Sequence, residues 1–165
     1  MTFGPRTWNT GETVTAALLN TEIRDQLASM FDAWTAYTPV WGAATTAPNI
    51  GDGVLTGRYL KIGRRVELVI KQTMGATTTY GSGAYTWTIP FLSANQGVDY
   101  LGSSRLVGAS AWHGQCVLSG NASVMSPVFP ANASSTLSTT LTGTTPKTLL
   151  NGDVLRMHIT YQSAA

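Results

Sequence analysis

Charge is what this sequence has least of: Asp, Glu, Lys and Arg make up only 11% of its 165 residues, while 43% are hydrophobic. That much apolar surface against so little charge excludes intrinsic disorder and points to one buried core. The few charges nearly balance, ten basic against eight acidic, so the polyelectrolyte signature of a nucleic-acid binder is missing and no nucleic-acid partner is expected. Cysteine is almost absent as well. Cys116 stands alone, which excludes an intrachain disulfide and a two-cysteine metal site and leaves a buried, inert thiol as its expected state. No apolar run is long enough to span a bilayer, and the first dozen residues carry neither an apolar segment nor a cleavage pattern. Synthesis in a cytoplasm without a secretory route, and no membrane insertion, are the expectations. The Asn-Ala-Ser sequons at Asn121 and Asn132 then carry little weight.

Catalytic and cofactor motifs are also lacking. His113 and His158 both lie on strand patterns and read as structural. Gly81-Ser82-Gly83 lacks the flanks of a nucleophile elbow, and Gly51-Asp52-Gly53 precedes a strand pattern where a phosphate-binding loop would precede a helix. Asp52, Asp99 and Asp153 are each explained by turns. The expectation is a protein that is not an enzyme and needs neither cofactor nor metal.

What the sequence does have is a strong hairpin between Asn49 and Gln72. Val66, Leu68 and Ile70 alternate with Glu67, Val69 and Lys71, the period of two that gives a strand one core face. Gly63 opens a two- or three-residue loop (Gly63, Arg64, Arg65), setting Tyr59 to Ile62 against Val66 to Val69, while Gly51, Gly53 and Gly57 bend the approach. Arg58, Lys61, Arg64 and Arg65 read as the solvated end of this hairpin.

Two further regions flank it. Residues 2–11 hold Gly4, Pro5 and Gly11 with Phe3 and Trp8, an extended arm whose aromatics must dock against the body or a partner. Thr13 or Thr15 caps a helix that continues to Trp34, with Ala16, Asn20, Ile23, Leu27, Met30, Trp34 and Tyr37 at alternating spacings of four and three, the seam of a short coiled coil. Leu18, Leu19 and Phe31 widen that stripe, which leaves room both for self-association and for packing of the helix on its own β domain. After Tyr37 the pattern turns to short apolar segments between Gly, Pro, Asn and Ser clusters: TPVW, the hairpin, AYTWTIPF (84–91), SRLVGASAW (104–112), QCVLS (115–119), ASVMSPVF (122–129), TLSTTLT (136–142) and DVLRMHITYQ (153–162). Their spacing predicts a mainly β fold: arm and single helix in residues 1–36, then an antiparallel β-sandwich or jelly-roll-like knob in 37–165. Tyr80, Tyr85, Trp87, Tyr100 and Trp112 could stack on sugar rings, with Asp99 or Asn95 accepting hydroxyl hydrogen bonds. Core packing explains Trp87 and Trp112 equally well, so Tyr80, Tyr85, Tyr100 and Asp99 are the candidate ligand residues.

The segments RTWNTGETVTAALLNTEIRD (6–25), WTAYTPVW (34–41), PNIGDGVLTGRYLKIGRRV (48–66), GATTTYGSGAYTWTIP (75–90) and NGDVLRMHITYQSAA (151–165) together resemble small tail-fibre, minor-tail and head-fibre proteins of bacteriophages infecting actinobacteria. The resemblance implies a virion structural protein, commonly a homotrimer with an N-terminal attachment arm and helix and a C-terminal β knob, and it brings no catalytic residues. From it follow the remaining expectations: location on the virion, Phe3 and Trp8 as attachment to other virion proteins of capsid or tail, and a knob that binds a host cell-wall glycan. A decoration protein that coats or stabilises the particle without a receptor is the alternative.

Overall fold

The computed structural model describes residues 7–28 and 30–164, and the protein it shows is mainly β. The helix comes first and is short. Thr15 caps it, its hydroxyl accepting from the Leu18 amide at 3.2 Å, and helical structure runs over residues 16–28. The expected continuation to Trp34 is not made: after Ala28 the chain turns, with the Met30 amide on the Leu27 carbonyl and the Phe31 amide on the Ala28 carbonyl. Its middle turn, Asn20–Arg24, is π-helical, so the hydrogen bonds there reach one residue further than in an α-helix.

Ten antiparallel strands follow: β1 (Thr35–Tyr37), β2 (Trp41–Ala43), β3 (Val54–Ile62), β4 (Arg65–Thr73), β5 (Tyr85–Thr88), β6 (Tyr100–Val107), β7 (Ala111–Leu118), β8 (Val124–Pro130), β9 (Ser138–Thr140) and β10 (Val154–Gln162). They form one curled sheet in the order β1-β3-β4-β10-β6-β7-β8-β5-β2, with β9 pairing β8 off that path. The last strand of the chain thus lies inside the sheet, hydrogen-bonded to β4 on one side and β6 on the other. The curl brings the sheet's ends together. Only residues 38–40 separate β1 from β2, and there the Val40 amide donates to Thr88 Oγ1 at 2.8 Å while the Thr88 amide returns to the Val40 carbonyl at 3.1 Å. A second seam closes where Tyr161 Oη donates to the Phe91 carbonyl at 3.0 Å and the Ala94 amide to the Gln162 carbonyl at 2.8 Å.

The hairpin is as its alternation requires, with one shift. Val66, Leu68 and Ile70 point into the core and are at most 2% exposed. The turn, however, uses only Gly63 and Arg64, so Ile62 pairs with Arg65 and Tyr59 with Leu68, one residue away from the expected register. Gly63 has φ +57° and Arg64 is not among the residues of positive φ, the pattern of a two-residue turn with glycine first, and this twist suits the strands better than a three-residue loop. Gly57 does not bend the approach but sits inside β3 opposite Tyr37, where a Cβ would lie 2.3 Å from the tyrosine ring. The segment read as one strand over 104–112 is instead the end of β6, a turn at 108–110 in which the Gly108 amide bonds the Ser110 carbonyl, and the start of β7.

Inside the curl, alternate residues of every long strand meet: Leu155, Met157, Ile159 and Tyr161 of β10 pack with Leu68, Leu106, Cys116 and Phe129. A second part of the core is aromatic, with Trp41 stacked on Trp87 at 6.1 Å between centroids and Tyr85 edge-on to both. Here the buried Gln72 side chain accepts from Trp87 Nε1 at 2.7 Å, which satisfies a polar pair that burial would otherwise penalise. Cys116 is buried, with Sγ 3.3 Å from the Ser103 carbonyl, and burial pushes its thiol up to about 12.

Truncating Leu68 to alanine should therefore cost on the order of 2 to 5 kcal/mol in urea unfolding, from lost burial and the cavity left behind. Because Cys116 is both neutral and covered, iodoacetamide at neutral pH should leave the native thiol unmodified and react only as the protein unfolds, as read by mass spectrometry.

Candidate functional site

The four candidate ligand residues do not make one site. Tyr85 is in the core with no exposed surface, its hydroxyl donating to the Tyr80 carbonyl at 2.6 Å. The reason is the strand alternation of β5, which turns Tyr85, Trp87 and Ile89 inward together; Tyr85 is thus a core residue and not a ligand contact. Tyr80 is half-buried at the edge of the same cluster, 6.5 Å from the Trp41 ring, and burial raises its pKa. Tyr100 opens β6, edge-on to Tyr161 at 6.3 Å, with its hydroxyl on the Ala94 carbonyl at 3.3 Å. Of the four, only Asp99 is fully exposed, in the loop before β6. Tyr80 and Tyr85 share the cluster around Trp41, while Tyr100 packs on Tyr161.

The arm and seam residues divide in the same way. Phe3 lies outside the described residues. Trp8 is exposed, as are Ala16, Ile23, Leu27 and Met30, while Asn20 and Trp34 are half-buried. Asp52 and Asp153 do turn work as expected: Asp52 Oδ1 accepts from the Thr77 amide at 2.8 Å, which holds its carboxyl below the usual range, and the buried Asp153 pairs with Lys147 Nζ at 2.5 Å.

The outer face of the sheet carries a feature that the sequence reading did not assemble. Register places Thr56 of β3, Lys71 of β4, Arg156 of β10, Arg105 of β6 and His113 of β7 directly opposite one another in turn, a single row across five strands. The neighbouring row, two residues along, is Arg58, Val69, His158, Ser103 and Gln115. With inter-strand spacings of 4.7 to 4.9 Å, such a row is roughly 19 Å long. All of these residues except Gln115 line a groove of about 570 Å³. Arg58, Lys71, Arg105 and Arg156 are all exposed and none has an ion-pair partner among the described residues. Glu67, on the same face of β4 as Val69 and Lys71, places its carboxylate 3.1 Å from Nε2 of His158 in the second row.

Other cations are already engaged. Arg64 reaches the Ser163 and Ala164 carbonyls and Lys61 lies 4.2 Å over the Phe91 ring, so the basic hairpin end is in part a structural device. The groove row differs because its charges face one another without compensation. Like charges directly opposite on adjacent strands destabilise a sheet, and Lys71, Arg156 and Arg105 are three in succession. The arrangement can hold an anion chain along the row. Among the described residues, no group of three or more His, Cys, Asp and Glu could hold a metal ion, and no helix is long and apolar enough to cross a membrane.

Comparison with protein-family models, curated proteins and solved structures finds no match to this chain.

If the row is kept at a cost, removing its central charge should help the fold. Arg156→Gln should raise stability by roughly 0.2 to 1 kcal/mol at low ionic strength, with the gain shrinking as salt screens the repulsion. Thermal denaturation at two salt concentrations measures both.

Proposed function

We propose that the protein is a non-enzymatic virion structural protein, a small homotrimer whose N-terminal helix assembles the particle-side base and whose jelly-roll-like β knob is displayed for attachment to the host surface. The observation that carries this reading is the apolar stripe of the helix. Leu19, Ile23 and Leu27 follow at spacings of four, each more than 40% exposed, and Met30 and Phe31 continue the exposed apolar surface past the helix end. None of residues 16–24 is buried. A helix this short is marginal in water without a packing partner, and an uncovered stripe of large apolar side chains marks an interaction surface. Three copies of the helix packed on that stripe would cover it, with the β bodies adding contact because the π turn interrupts a strict heptad seam. Trp8, at 42% exposure just ahead of the helix, suits the docking of the arm on a capsid or tail protein.

A second reading, decoration of the capsid or tail lattice without a receptor, is favoured by one observation: Tyr80 and Tyr100 are engaged inside the body and do not form an aromatic sugar platform. In that case the helix stripe would dock on the lattice itself.

Sedimentation of the isolated protein at micromolar concentration should give a trimer, and Ile23→Asp with Leu27→Asp should give a monomer with its strand circular dichroism intact. A wild-type monomer would reject the trimer. Antibody to the protein should label purified virions; dense labelling of the lattice by a monomeric wild type would favour decoration.

A further inference from the structure

We propose that the cationic row on the outer face of the sheet is a binding groove for a linear anionic glycan, a polysaccharide chain carrying carboxylate or phosphate groups. The inference rests on the host-attachment reading and names the class of surface polymer that the knob would take. Its footing is the register. Lys71, Arg156 and Arg105 are consecutive cross-strand neighbours, with Arg58 one row away, and all four are exposed without an ion-pair partner among the described residues.

Three features select the ligand. The positive groups repeat across the strands in one direction, so the complementary ligand is extended and carries repeated negative charge, which a small anion would not use. Arginine supplies a planar fork that binds carboxylate or phosphate oxygens through two hydrogen bonds, and such charge-assisted pairs are about twice as strong as neutral ones. Beside the cations lie hydrogen-bonding side chains, Thr56 and His113 at the two ends of the row and Ser103 in the row next to it, suited to the hydroxyls of neighbouring sugar units. Single-stranded nucleic acid fits less well. Proteins that bind it pair a basic groove with aromatic platforms for the bases, and no Phe, Tyr or Trp lines this groove. The aromatic side chains of residues 35–164 instead belong to the core or pack against it.

The contrast within the molecule sharpens the assignment. Residues 35–164 hold eight basic and four acidic side chains: Asp52 and Asp153 serve turns and Asp99 lies in a loop, while Glu67 reaches the second row of the groove and pairs with His158, not with Lys71, Arg105 or Arg156. Lys71, Arg156 and Arg105 are left without ion-pair partners among the described residues and directly opposite one another, where like charges destabilise a sheet. A bound polyanion removes that repulsion, so ligand binding and relief of the sheet's electrostatic strain are the same event.

The test measures binding of the full-length protein by fluorescence anisotropy at low salt to four labelled polymers: polygalacturonate, a glycerol phosphate polymer, neutral dextran and a single-stranded oligothymidylate. Polygalacturonate, the glycerol phosphate polymer or both should bind, with affinity falling as salt rises, and dextran should not; which of the two binds tells carboxylate from phosphate. Arg156→Ser should weaken binding by about tenfold or more, as loss of one forked contact would, whereas Arg65→Ser, an equal charge change at the hairpin end, should leave it within about twofold. Circular dichroism and thermal melts check that each variant is folded. The proposal is overturned if neither anionic glycan binds, if Arg65→Ser and Arg156→Ser lose affinity equally, or if oligothymidylate binds more tightly than both glycans. Sedimentation of the same samples separates this from the assembly reading: a monomer that binds glycan through the row overturns only the trimer, and a trimer that binds none overturns only the groove.

Discussion

The placement of β10 between β4 and β6 is the constraint on which the rest of the structure depends. A strand from the end of the chain must find two partners more than forty residues away, and until it does the sheet is two separate pieces. Its inward side chains, Leu155, Met157, Ile159 and Tyr161, then join the core across its full length. Tyr161 also ties the curl closed by its hydroxyl on the Phe91 carbonyl, so the strand that completes the sheet completes its closure. Burial raises the pKa of that hydroxyl, the expected effect of holding a phenol where its anion would be poorly solvated. Non-local pairing of this kind carries a high loop-closure cost and makes for slow folding.

Local pattern was enough to read some of this. The alternation in β4 and β10 is complete, and the faces it assigns to Val66, Leu68, Ile70, Leu155, Met157, Ile159 and Tyr161 are those observed. Gly63 marks the hairpin turn, but a glycine fixes only where the chain reverses, and the one-residue difference between a two- and a three-residue loop decides which residues face each other. The merging of β6 and β7 into one expected strand has a similar cause. Gly108, Ala109 and Ser110 include no proline or asparagine, so the turn between Val107 and Ala111 has a weak sequence signal. The helix was placed correctly at its start, where Thr15 supplies a cap, and too far at its end. Residues 29–34 contain neither Gly nor Pro, and nothing in the local sequence announces the turn that the chain makes there.

The candidate sites were harder to read, for a reason that concerns information and not propensity. Tyr80, Tyr85 and Tyr100 share a residue type and a Gly- and Ser-rich setting, but exposure depends on strand phase. Tyr85 shares its phase with Trp87. The cationic row is the opposite case. Lys71, Arg105 and Arg156 are isolated in sequence, each alone among polar and apolar neighbours, and only the strand order β4-β10-β6-β7 makes them adjacent. One signal was present: in DVLRMHITYQ the outward set is Val154, Arg156, His158 and Thr160, so a cationic outer face on the last strand was legible even where its neighbours were not.

The two uncovered surfaces differ in chemistry, and that difference bears on how the molecule divides its work. The helix stripe is apolar and uncharged at Leu19, Ile23 and Leu27, so burial against like surface is its route to lower free energy, with little dependence on salt. The groove row is charged and held rigid by backbone ladders on both sides of β10. Its gain comes chiefly from opposite charge, an interaction that salt weakens. A self-copy cannot satisfy the row, because the same row on a second copy is also positive and would repel it. The helix is therefore the surface suited to assembly with identical chains, and the sheet face is the one suited to a partner of different chemistry. The residues that join them, 34–37, run into β1 beside β3, where Asp25 of the helix lines a small cleft with Tyr59, Leu60 and Lys61.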